Sequence, residues 1–96
     1  MALTPKQYTE LKNFRDLIKQ TVDRLRQAQS QGALSQAVGD CAPRWDKVDG
    51  DFAAVLRNVG DSVWQMPFMK VRPTVNAICD HLGGQLSEID EQLARG

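Results

Sequence analysis

Apolar residues recur at every third or fourth position in three stretches of this chain, which is the spacing of one face of an α-helix. The first stripe consists of Tyr8, Leu11, Phe14, Ile18, Val22 and Leu25. The second consists of Trp45, Val48, Phe52, Val55, Leu56, Val59, Val63 and Met66, and the third of Val71, Val75, Ile78, Leu82, Leu86, Ile89 and Leu93. The stripes predict three helices, over about residues 5–30, 43–66 and 72–94.

Local signals support the first helix and leave the segment after it weak. Thr4 can cap the helix, Pro5 suits its first turn, and Gln7 stands where a capping box needs a glutamine. Residues 31–43 contain two glycines, a serine and a closing proline, which favours a loop with at most one helical turn over residues 33–38.

A break separates the second stripe from the third. At 100° per residue the third stripe lies roughly 140–160° from the second, so a single continuous helix could not bury both. Pro67 also lacks the backbone donor that a helix interior needs. The pattern therefore predicts an all-α fold, a small antiparallel three-helix bundle in which residues 1–96 form one domain.

Composition narrows the classes of function. The chain has 96 residues, of which 42% are apolar and 25% charged, and its 12 basic and 12 acidic side chains cancel. An interleaved neutral surface argues against nucleic acid as a partner. The sequence has neither an apolar run of about 18 residues nor a charged leader before an apolar segment, so we expect a cytoplasmic protein that does not enter a membrane.

Residues that could carry chemistry are few and scattered. His81 is the single histidine, and Cys41 and Cys79 are too far apart for a Cys-X-X-Cys site. The two thiols are expected to be reduced, with one disulfide between them as the alternative. The acidic run from Asp46 to Asp51 does not have the spacing of a calcium loop. We therefore predict no enzyme activity, no cofactor and no metal.

A cluster of large apolar side chains surrounds Pro67. It comprises Trp64, Met66, Phe68 and Met69, with Lys70 and Arg72 beside it. Two interpretations are open: a lid that closes the end of the core, or an exposed surface that binds a protein partner. Trp is enriched in binding hot spots and Met adapts to irregular surfaces, so these six residues are the predicted partner-binding site.

We call residues 64–69 the corner. The sequence thus favours a non-enzymatic helical protein that binds a protein partner through helix faces and the corner, in order to regulate, inhibit or escort that partner. Leu17 and Ala28 flank the first stripe and could support a homodimer. In size and helicity the chain is similar to the small secreted Trp-X-Gly proteins of bacteria, but neither Trp45 nor Trp64 is followed by the motif. A secreted or surface-exposed small helical hairpin protein and a self-assembling structural subunit are the alternative functions.

Overall fold

The computed structural model of the protein describes residues 3–95, which contain α-helices and no strands. Within this range there are four helices, and the predicted count of three was wrong. They are α1 (Pro5–Gln27), α2 (Gln31–Asp46), α3 (Gly50–Ser62) and α4 (Phe68–Arg95). The all-helical class is confirmed, α1 ends three residues earlier than expected, and α4 begins four residues earlier.

The helix that the sequence did not predict is α2, which occupies the segment expected to be a loop. Ser30 caps it by accepting a hydrogen bond from the backbone of Ala33 at 3.2 Å. Its buried face is a regular stripe of small and large residues: Leu34, Ala37, Val38, Cys41, Ala42 and Trp45. Burial of this face offsets the two glycines and the interior Pro43, which removes one helical hydrogen bond.

The predicted second helix is divided at residues 47–49. Trp45 belongs to the last turn of α2, whereas Val48 lies in the connection and is 51% exposed. Asp49 then caps α3, because its carboxylate accepts a hydrogen bond from the backbone of Phe52 at 3.2 Å. A new N-cap of this kind marks the start of a separate helix, so the two halves of one sequence stripe belong to two helices.

The helices form two antiparallel pairs. In the longer pair, Arg15 of α1 lies beside Asp90 of α4, and Arg26 lies beside Cys79. In the shorter pair, Asp46 of α2 accepts hydrogen bonds from Arg57 of α3. The molecule measures 47 × 21 × 18 Å, and the shorter pair covers only part of the longer one. We call the remaining part, residues 5–16 of α1 with residues 89–95 of α4, the arm.

The core is centred on Trp45, which is 1% exposed. Its ring lies between Phe14 of α1 and Phe52 of α3, with centroid distances of 5.6 Å and 4.4 Å. The indole nitrogen donates a hydrogen bond to the hydroxyl of Thr21 at 2.9 Å. One side chain at the end of α2 therefore joins three helices and has its only polar atom satisfied.

Candidate protein-binding surface

The corner at residues 64–69 is held by hydrogen bonds at the junction of three helices. The backbone N–H of Met66 donates to the carbonyl of Ser62 at 3.0 Å, and the backbone N–H of Lys70 donates to the carbonyl of Pro67 at 2.9 Å. From α2, the side-chain amide of Gln31 donates to the carbonyls of Val63 at 2.6 Å and Met66 at 3.1 Å. The connection between α3 and α4 is therefore held both by its own backbone hydrogen bonds and by the Gln31 side chain of α2.

The corner has a buried side and an exposed side. Val63 is fully buried, and Phe68 is half-buried against the core, so these two close the end of the bundle. Trp64 is 64% exposed and Met69 is 83% exposed, and Met66 is also exposed. The lid interpretation thus applies to Phe68 alone among the predicted site residues, whereas the other three apolar side chains face solvent.

The two basic residues of the predicted site are also exposed. Arg72 borders a cavity of about 290 Å³, which Phe68, Leu25 and Leu34 also line. Lys70 follows Met69 in the first turn of α4. All six predicted residues therefore belong to one short stretch at one end of the bundle, and five of them are exposed.

A second surface was not predicted as a site. At the other end of α2, a groove of about 730 Å³ runs along α1 and ends at the connection to α3. Its lining is mainly apolar: Leu3, Gln7, Glu10, Leu11, Asn13, Phe14, Leu17, Lys47 and Val48. The sequence signal for this groove is indirect, since Leu17 lies beside the first stripe, whereas the second stripe places Val48 on a buried helix face.

Among the described residues, the groups with shifted pKa values are two thiols and the two members of one ion pair. Burial raises the pKa of both thiols, Cys41 and Cys79, which are free and enclosed in the core. Hydrogen bonds from Arg57 lower the pKa of Asp46, and the same contact raises the pKa of Arg57. Among residues 3–95 no group of three or more His, Cys, Asp or Glu side chains is placed to hold a metal ion.

Comparison of the chain with protein-family models, with curated proteins and with solved structures finds no match. Over residues 3–95, no helix has the length and apolar character that crossing a bilayer requires. The exposed corner and the groove along α1 are consequently the features of the described residues that bear on function.

Proposed function

We propose that this protein is a non-enzymatic binding module that regulates, inhibits or escorts a protein partner through the 64–69 corner. The observation that carries the proposal is the exposure of Trp64 and Met69, at 64% and 83%. Large apolar side chains in such positions are typical of binding hot spots, and burying an exposed Trp on association supplies much of an interface's free energy.

The fixed backbone of the corner supports this proposal. Because Gln31 holds the carbonyls of Val63 and Met66, the connection does not need to become ordered when a partner binds. Association loses less conformational entropy when the binding segment is already in its bound shape. A flexible loop with the same side chains would bind more weakly for this reason.

The charges near the corner indicate the kind of partner. Lys70 and Arg72 are exposed beside the apolar side chains. An apolar pocket rimmed by acidic residues would match both features, since Trp64 and Met69 would enter the pocket while the two cations remain at its edge. Binding of this type acts by occlusion or by holding the partner, with no chemical step.

Site-specific photo-crosslinking in cells that produce the protein tests the proposal. A photoreactive amino acid at position 69 should capture a discrete partner, while the same group at position 55 should not. Val55 is a matched control because it is also an exposed apolar residue, at 44%, but lies on α3. Purified wild-type chain should compete with capture, and Trp64→Ala should compete at least tenfold less well.

Equal capture from positions 69 and 55, or no capture from position 69, would count against the corner as the binding site. Capture of a second copy of this chain from position 69 would favour the self-assembling subunit instead. Residues 3–95 form four helices, whereas the secreted or surface-exposed alternative is a single hairpin. No specific observation favours that alternative.

A further inference from the structure

The groove along α1 continues the line of α2. In the second half of α1, Gln20, Thr21 and Arg24 contact α2, through Arg44, Trp45 and Asp40 respectively. Stepping back from Thr21 by four and three residues in turn gives Leu17, Phe14, Glu10 and Gln7, which line the groove together with Leu3 from the segment before the helix. Residues so spaced share one face of a helix, so the face that α2 covers in one half of α1 is open in the other.

The groove is long enough to accept a helix. From Pro5, the first residue of α1, to Leu17 the helix rises by about 18 Å at the usual rise per residue, so the groove offers room for about three turns. Lys47 and Val48 close it where α2 ends. Leu11, Phe14 and Leu17 are only half-buried, and they form the floor of this space. The arm is thus a two-helix layer that lacks the neighbours which the rest of the bundle has.

The charges that line the groove favour a second copy of the same chain. Glu10 and Lys47 are its two charged residues, and they have opposite signs. Phe14 packs against Trp45, so Lys47 lies near the level of Phe14 and Leu17 along α1. If two α1 helices lie antiparallel and cross between Leu11 and Phe14, Glu10 of each copy reaches the level of Lys47 of the other. A two-fold interface requires this self-complementarity.

We propose that two copies associate through this groove, each arm filling the open face of the other to give a four-helix layer. Leu11 and Phe14 of one copy then pack on Phe14 and Leu11 of the other, and the two Glu10–Lys47 pairs fix the antiparallel register. A strongly acidic or basic partner would find no net opposite charge in the groove. A lipid surface would require a basic flank, whereas the flank of α1 alternates Lys12 and Asp16.

The dimer does not depend on the proposed function, because the corner lies at the opposite end of α2. Sedimentation equilibrium of the full chain, from about 1 µM to about 1 mM, should give a mass that rises to twice that of one chain. Glu10→Lys and Lys47→Glu should each weaken association roughly tenfold, since each variant places like charges together twice in its own dimer.

Mixing the two variants is the decisive measurement. A heterodimer of Glu10→Lys with Lys47→Glu contains two opposite-charge pairs, so the equimolar mixture should associate as tightly as wild type. Recovery of wild-type association in the mixture is expected only if the partner in the groove is a second copy of the chain. A mixture that associates no better than either variant alone would overturn the proposed register and with it the interface.

Two further variants separate the groove from the corner. Val48→Glu places a charge at the exposed end of the groove and should weaken association at least tenfold, with thermal unfolding of the monomer unchanged. Trp64→Ala should leave the dimer intact. The proposal is wrong if the wild type remains a monomer throughout the concentration range, or if Trp64→Ala rather than Val48→Glu abolishes the dimer.

Discussion

The side-chain amide nitrogen of Gln31 lies 2.6 Å from the carbonyl oxygen of Val63, so the first residue of α2 holds the end of α3. The same nitrogen reaches the carbonyl of Met66 at 3.1 Å. Both acceptors come after the last residue of α3, where carbonyl groups have no partner within the helix. One side chain from a different helix therefore performs the capping that the local sequence around Pro67 does not provide.

We expect Gln31→Ala to lower the free energy of unfolding by about 1–2 kcal/mol, because two carbonyls lose their donor. Amide hydrogen exchange at residues 64–69 should accelerate at the same time. Gln36→Ala is the matched control, since Gln36 is an exposed glutamine of the same helix. Equal exchange rates at the corner in the two variants would show that Gln31 does not hold it.

The two tryptophans should report on different environments. Indole fluorescence shifts to longer wavelength in contact with water, and Trp45 is 1% exposed whereas Trp64 is 64% exposed. Trp64→Phe should therefore shift the emission of the protein to shorter wavelength and reduce its quenching by acrylamide. If Trp64→Phe leaves both unchanged, the Trp64 side chain is covered in solution, and the corner is not the exposed surface described above.

Thr21 is the acceptor for the buried indole of Trp45, and its own hydroxyl donates to the carbonyl of Leu17 at 2.8 Å. Thr21→Val keeps the shape but leaves the indole donor unpaired, which should cost about 1–3 kcal/mol in urea unfolding. Thr9→Val is the control: Thr9 makes the same bond to Pro5 at 3.0 Å but is exposed. That variant should change stability by less than about 0.5 kcal/mol.

Gly60 and Gly39 should respond in opposite ways to substitution by alanine. A Cβ atom at Gly60 would lie 3.0 Å from Cγ1 of Val38, a buried β-branched side chain with little rotational freedom, whereas one at Gly39 meets no atom within 4 Å. Gly39→Ala should raise the free energy of unfolding by up to about 1 kcal/mol through helix propensity, and with it the melting temperature. Gly60→Ala should lower it, because overpacking outweighs the same gain. A higher melting temperature in both variants would mean that α2 and α3 can move apart at Gly60 without a loss of stability.

The ion pair between Asp46 and Arg57 should make stability depend on pH in acid. Because Arg57 donates to its carboxylate at 2.7 and 2.5 Å, Asp46 has a folded pKa below its ordinary value of 3.8. The stabilisation is thus complete above pH 3.8 and is lost as the pH falls through the folded pKa. Asp46→Asn should be less stable than wild type at neutral pH, and the difference should vanish in acid. A difference that persists unchanged in acid would refute this linkage.

Much of α1 and α4 could be predicted because their signals are local. Thr4 and Gln7 form the expected capping box, with both hydrogen bonds at 3.1 Å. In α4, every residue of the predicted stripe is buried or half-buried. In α1 the capping signals and the periodicity agree, although Tyr8 of the predicted stripe is 41% exposed. In α4 the periodicity alone identifies the buried face.

The division of the second stripe and the existence of α2 depended on packing that the pattern concealed. Half of the buried face of α2 is Ala and Cys, and its glycines and Pro43 imitate a loop. Asp49 was visible as an acidic residue, but its role as a cap follows from the reversal of the chain at residues 47–49. The groove along α1 could not be predicted at all, because it results from the difference in length between the two helix pairs.

The pairing of α1 with α4 also bears on the order in which the helix pairs form during folding. Their contact closes a loop that contains all of α2 and α3, whereas α2 and α3 are joined through residues 47–49 alone. Closing the longer loop has the larger entropic cost, so we expect the α2–α3 hairpin to be present in the folding transition state and the arm to form after it. Substitutions at Leu56 should therefore slow refolding, while substitutions at Ile89 should chiefly accelerate unfolding.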